Sequence, residues 1–294
     1  MSVFGQVAFA ALSLSFRFSP DMLLTWHWLV VLAVAVAAVC FMMPRSSATP
    51  LQLLREVLVL VPAYLLYSVV RGLVQGRQPE ALMRAMHLIR LERGLGIFWE
   101  LDLQNRIVDI RALETFANWT YLLGMWPVII LVAMWLFFLH RDSYPLYRNA
   151  FLISGAIGLV VYATLPVAPP RFMDGWGFID TVGSGTAAYS LPDLSILVNQ
   201  YAAVPSLHFG WVLLAGLAVY HESHGIPAKV LGVFMPAAML FSIVATGNHF
   251  FLDAAAGAIV ALIGLGGSLM LRTLVMRSDP PPGPGFRALA AQMF

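Results

Sequence analysis

The length of its apolar runs constrains this chain more than any other feature. Phe251–Leu274 is the clearest run, with a single acid, Asp253, and a single base, Arg272. About 20 apolar residues carry a helix across the hydrocarbon core of a bilayer, where a backbone must satisfy its own hydrogen bonds. Similar runs occupy Met22–Met43, Leu53–Val74, Phe116–Leu139 and Leu146–Leu165, with shorter ones at Leu207–Tyr220 and Val230–Ala245. The chain is 60% hydrophobic and 11% charged with a mean hydropathy of +0.81, which excludes an ordinary soluble domain. The expected fold is all-α: a polytopic membrane bundle of about six to seven transmembrane helices with added interfacial helices.

The polar residues divide this framework. Met1–Phe18 lacks a basic leader and a small-residue cleavage site, and reads as an interfacial helix rather than a removed signal. Gln75–Glu114 is the longest polar stretch, and its apolar residues, among them Leu82, Met86, Ile89 and Trp99, recur at helical spacing. It predicts helices lying along the membrane surface, either roofing a site or serving as connectors. The prolines of Pro166–Pro170 end the fourth span, and Met173–Gln200 reads as a loop with a short helix near Pro192–Val198. The organisation expected is 1–145 for N-terminal spans and interfacial helices, 146–275 for a functional core, and 276–294 for a flexible tail.

A net charge of +2 without a dense basic run gives no reason to expect a nucleic-acid partner. The single cysteine, Cys40, excludes an intramolecular disulfide and a thiolate zinc site. Sixteen of the seventeen basic residues are arginine, a composition suited to a GC-rich bacterial genome and so to a bacterial plasma membrane.

Two polar clusters interrupt the apolar second half: Pro205-Ser206-Leu207-His208, and Gly247-Asn248-His249 with Asp253. His249 and Asp253 are four residues apart, so on a helix they share a face and the carboxylate reaches one ring nitrogen. The other nitrogen is then free to act as nucleophile or base, with positive charge on the ring stabilised. His208 opens the preceding pair of apolar runs, and a helical hairpin returns it to the membrane face of His249. Arg171, held where the prolines end the fourth span, falls on that face too.

These motifs resemble the type 2 phosphatidic acid phosphatase superfamily, whose signature pairs Pro-Ser-Gly-His with a later His-x-x-x-Asp. The resemblance covers roughly Thr164 to Gly257. Leu207 in place of the glycine, together with Gly247-Asn248-His249, is similar to the branch containing inositol phosphorylceramide synthases. The resemblance implies that His249 attacks phosphorus to give a phosphohistidine, that Asp253 orients it, and that His208 protonates the leaving oxygen. Pro169-Pro170-Arg171 matches the family's upstream arginine element, so Arg171 becomes the phosphate clamp, helped by Ser206 and the helix N-terminus near Leu207. No metal ligand set and no cofactor is expected. The family's phosphatases carry Ser-Arg shortly before the nucleophilic histidine, whereas here Ser242-Ile243 stands there. A site lacking that arginine suits a phosphodiester, and so a head-group transferase acting on a membrane lipid with a lipid or polyol hydroxyl as acceptor. A lipid phosphate phosphatase and a non-catalytic lipid-phosphate transporter are the alternatives, and oligomeric state is unreadable.

Several other polar residues read as structural. Arg55, Glu56 and Arg71 are expected to snorkel at the ends of the second span. His221, Glu222 and His224 read as a solvated loop, and His140 has no acid at convincing spacing apart from Asp142. Asn118, with Trp119 and Tyr121, is placed to touch a sugar or inositol head group, although an aromatic belt is the commoner reading. Arg45, Arg141, Arg148, Lys229, Arg272 and Arg277 gather on the face opposite the histidines. That bias predicts an extracytoplasmic active site.

Overall fold

A computed structural model of the chain describes residues 50–73, 77–173, 175–185 and 200–278. The expected span Met22–Met43, the N-terminal interfacial helix, the short helix near Pro192–Val198 and the tail beyond Ser278 lie outside the described residues. The described residues form ten α-helices, in order: α1 Pro50–Leu73, α2 Gln78–Leu95, α3 Glu100–Val108, α4 Arg111–Leu123, α5 Trp126–Leu139, α6 Tyr144–Thr164, α7 Thr181–Gly185, α8 Leu207–Glu222, α9 Ile226–Ala245 and α10 Phe251–Ser278. No strand occurs among the described residues, only one isolated bridge between Val167 and Ala202.

Among the described residues four helices are long and apolar enough to cross a membrane: α1, α6, α9 and α10. The run Phe116–Leu139, expected as one span, is broken: α4 and α5 meet at a 53° bend, and counted together they make a fifth. Gly124 and Met125 form the break and Pro127 stands in the first turn of α5, where its missing N–H leaves no ladder bond to lose. α8 has 16 residues and runs through the middle of the bundle, buried along Trp211, Val212, Leu214, Ala215 and Ala218.

Lipid tails are as apolar as leucine, so these helices associate through close packing rather than by escaping water. α8 packs along α9 and α10, and α6 lies along α10. A Cβ on Gly210 would stand 2.5 Å from the Gly257 carbonyl oxygen of α10, and one on Gly216 2.3 Å from that of Gly232 on α9. Those contacts require glycine. The indole Nε1 of Trp211 donates to Ser154 Oγ at 3.1 Å, so the core aromatic leaves no unpaired N–H in a setting without water.

The amphipathic segment docks on the end of the bundle where α8 and α10 begin. α2 buries Ala81, Ala85, Ile89 and Glu92, and α3 buries Glu100, Gln104 and Ile107, one face of each helix. Gln104 bridges three elements: its Nε2 donates to Ile179 O at 2.9 Å and Ala245 O at 3.1 Å, while its Oε1 accepts from Ile179 N–H at 2.9 Å. At the other end, Glu56 of α1 accepts from Arg148 at 2.7 Å and from the Tyr144 hydroxyl at 3.1 Å, and His140 stands 3.6 Å from Glu222. His140 thus has its acid in Glu222 rather than Asp142, brought close by the packing of α8 beside the α5–α6 turn.

Candidate active site

The site forms where three chain junctions meet, and local sequence explains each. α9 ends in a Schellman motif: Gly247 has φ 67°, its N–H bonds Val244 O, and Asn248 N–H bonds Ile243 O, each at 3.0 Å. Three residues on, α10 begins with Phe250 as its cap. Asp253, in the first turn, reaches back to accept Phe250 N–H at 2.9 Å, as the acid of a capping box does. His249 is therefore fixed between a helix end and a helix start.

Backbone bonds join this turn to the other two junctions. Arg171 N–H donates to Gly247 O at 2.9 Å, and Ser206 N–H to Asp253 O at 2.9 Å. Val167 N–H bonds Tyr201 O at 2.9 Å, and Ala203 N–H bonds Val167 O at 3.2 Å.

The ring of His249 is buried, and its Nδ1 lies 3.0 Å from the Ala203 carbonyl oxygen and 3.3 Å from Asp253 Oδ2. A carbonyl oxygen only accepts, so Nδ1 carries the proton and Nε2 keeps a lone pair. Burial, reinforced by the charge of Arg171, pushes the imidazole down to about 3, so the ring is neutral at physiological pH. The tautomer is held by a main-chain oxygen as well as by the expected carboxylate.

His208 lies in the first turn of α8, its ring stacked on Tyr121 at 4.8 Å and 5.9 Å from the ring of His249. Both histidines line a cavity of about 440 Å³ with Arg171, Asn248, Tyr162 and Arg71. The Arg171 side chain is 8% exposed, bonded to Asn248 Oδ1, with Nε 3.6 Å from Asp180. Ser206, expected at the phosphate, is fully buried as the N-cap of α8, its hydroxyl accepting Phe209 N–H at 3.4 Å. The cavity lining does not include it.

Two expectations from sequence need correction. Asn118 is no head-group contact: it is buried and fully engaged with Thr181, donating to its carbonyl at 3.1 Å and accepting its hydroxyl at 2.9 Å. Arg71 does not snorkel toward a surface. It lies in the last turn of α1, its guanidinium 5.9 Å from the Tyr162 ring, and its charge is felt at both His208 and His249. The cavity therefore contains a second guanidinium, supplied by α1, while the position of the family's missing arginine, Ile243, is sealed in the core. Nothing in the local sequence of α1 marks Arg71; only the helix path brings it to the histidines.

A second cavity of about 770 Å³, almost wholly apolar, adjoins the first between α1 and the helices α5, α6 and α8. Tyr64, Tyr67, Trp126 and Trp211 line both.

A membrane-embedded helical bundle with two histidines and an acid joined at three helix junctions is the class that fold and site define. The PAP2 superfamily profile matches residues 86–266, more than half of the chain, and the chain belongs to that family. A phosphoinositol dihydroceramide synthase of Bacteroides thetaiotaomicron is 28% identical over 166 residues, which is 51% of this chain and 54% of the relative. The chain thus spans about half the length of this curated relative. No solved structure matches.

Proposed function

We propose that the protein is an integral-membrane lipid phosphotransferase that moves a phospho-head group through a phosphohistidine on His249. The observation that carries this reading is the meeting of the His208 and His249 rings, 5.9 Å apart, in a cavity lined by two arginines. Arg171 and Arg71 hold the phosphoryl oxygens and neutralise charge that otherwise repels a nucleophile. The lone pair on Nε2 of His249 attacks phosphorus and the bond to the leaving oxygen breaks. His208, protonated, gives that oxygen its proton. In the second half an acceptor hydroxyl passes its proton to His208 and attacks phosphorus, and the P–N bond breaks to restore His249. Asp253 balances the positive charge on the ring while the intermediate lasts.

The adjoining apolar cavity supports a lipid substrate, since a hydrocarbon chain can extend into it from a phosphate held beside the histidines. Family membership supports an enzyme acting on lipid phosphates, and the similarity to a synthase favours transfer over hydrolysis. One observation favours hydrolysis: with Arg71 the cavity holds two guanidiniums, enough charge for a monoester dianion, so charge no longer argues for a diester. In this proposal the site faces the extracytoplasmic side of a bacterial plasma membrane, a reading supported by the basic residues of the short loops at the opposite end.

Purified protein incubated with head-group-labelled phosphatidylinositol, with ceramide or diacylglycerol as acceptor, tests the proposal. Label is expected in a new lipid, and the transfer is lost in His249→Gln. Phosphate released from phosphatidic acid without transfer establishes the phosphatase, and no turnover of either substrate class overturns the enzymatic reading.

A further inference from the structure

The N-terminus of α10 receives two carboxylates from outside its own sequence. Phe251 N–H donates to Glu100 Oε1 at 2.9 Å, and Leu252 N–H to Glu92 Oε1 at 2.8 Å. With Asp253 on Phe250 N–H, three successive orphan amides of the helix that carries the His249 junction are each closed by a carboxylate. Glu92, Glu100 and Asp253 are all fully buried.

Charge counting shows what this arrangement needs. A helix N-terminus supplies about half a positive charge, far short of three buried carboxylates. Glu92 and Glu100 also interact with each other side chain to side chain. The second oxygen of each, Oε2, is buried with no donor among the described residues. One proton between them gives both oxygens a partner and removes a charge. Helix position assigns it: Glu92 stands in the last turn of α2, the negative end, whereas Glu100 opens α3, the positive end. Burial, then the hydrogen bond to Glu100, push Glu92 up to about 9. The titratable groups facing Glu92 are Glu100 of α3 and Asp253 of α10. Arg93, next along α2, instead lies over the rings of Phe98 and Trp176.

We propose that Glu92 and Glu100, sharing one proton, are positioning residues that hold the start of α10 and so set His249 and Asp253 in place. The amphipathic segment then roofs the site through the backbone of the reacting turn, and loss of the shared proton at alkaline pH loosens that turn. The catalytic consequence rests on the reading of His249 as the reacting group; the structural one does not.

Full-length protein in detergent, wild type beside Glu92→Gln and Glu92→Ala, provides the test. A proton kept when folded and lost when unfolded makes stability fall as pH rises from the ordinary glutamate range to about 9. In wild type this pair lowers the folding equilibrium constant by up to about tenfold per pH unit over that window. In Glu92→Gln the slope flattens, because the amide permanently supplies the hydrogen that the proton supplied. Hydrogen exchange in peptides covering 247–254 is expected to be at least tenfold faster in Glu92→Ala than in Glu92→Gln, through loss of the Leu252 bond. In the transfer assay Glu92→Ala loses kcat with little change in KM, since the arginines lie on other elements, and Glu92→Gln restores it.

An unchanged pH slope in Glu92→Gln overturns the shared proton, and exchange in Glu92→Ala equal to wild type overturns the positioning role. Should Glu92→Ala fail to fold, the slope in Glu92→Gln decides. If wild type turns over nothing, the enzymatic reading falls, while slope and exchange still decide the proposal.

Discussion

His249 shows how much one side chain depends on its neighbours. Its Nδ1 meets the Ala203 carbonyl and Asp253, and Asp253 Oδ2 is also the acceptor for Phe250 N–H. Asp253→Asn keeps an oxygen for that amide but loses the negative charge opposite a phosphorylated ring. We expect kcat to fall roughly 10²- to 10⁴-fold with a melting temperature near wild type, the size usual for removing one member of such a relay; single-turnover kinetics check it. Arg71→Gln is expected to lower kcat/KM roughly 10- to 100-fold, the worth of one hydrogen bond to a charged group, and wild-type kinetics in that variant remove Arg71 from the site. The pairing of His249 with Asp253 was legible because their spacing is local, four residues across one helix start, and the approach of His208 because a hairpin returns it to the same face. Arg71 was not, because its role depends on where α1 runs, and charged residues at span ends usually do snorkel. Ser206 and Asn118 lie outside the cavity lining for a related reason: beside a site, a small polar residue is as useful for capping or tying backbone as for touching substrate.

At the scale of elements, hydropathy located the long helices because period and length are properties of the run itself. It missed the bend between α4 and α5, where apolar character continues unbroken across Gly124 and only Pro127 marks the change. It found the amphipathic helices α2 and α3, but acids on an interfacial helix ordinarily face water, so the inward turn of Glu92 and Glu100 left no trace in the sequence. Small residues likewise do not announce which of them are contacts. A Cβ on Gly257 would stand 2.1 Å from the Ser206 carbonyl oxygen, whereas one on Gly266 meets nothing within 4 Å. Both lie on α10. Gly257→Ala must push α8 and α10 apart where Ser206 N–H bonds Asp253 O, so a loss of melting temperature and of activity together is expected. Gly266→Ala relieves a flexible residue in mid-helix and is expected to leave activity alone and raise stability by roughly 0.5–1 kcal/mol. Equal responses of the two variants in thermal unfolding contradict the close helix contact.

The two histidines and Asp253 lie at one end of the molecule, and Arg141, Arg148, Lys229 and Arg272 gather at the other, where Arg148 pairs with Glu56. α6 ends, α8 begins, α9 ends and α10 begins at the histidine end, where Arg171, His208, Asn248, His249 and Asp253 lie. Arg141 and Arg148 flank the start of α6, Lys229 lies in the first turn of α9, and Arg272 is near the end of α10, all at the opposite end. The arginines of the amphipathic segment are at the histidine end, but there Arg77 pairs with Glu80 at 2.7 Å and Arg84 shares the same acid. Orientation follows basic residues in short loops, with acids contributing little, so the short α5–α6 and α8–α9 turns are the ones to count. On that rule we expect the opposite end in the cytoplasm and the histidines outside. Single cysteines settle it once Cys40 is replaced by serine. Asp109, exposed between α3 and α4, and His224, exposed between α8 and α9, lie at opposite ends of the bundle. Asp109→Cys is expected to react with a membrane-impermeant maleimide on intact cells, and His224→Cys only after the membrane is permeabilised. The reverse pattern inverts the protein and moves its phosphoryl chemistry, with whichever lipid supplies the head group, to the cytoplasmic leaflet.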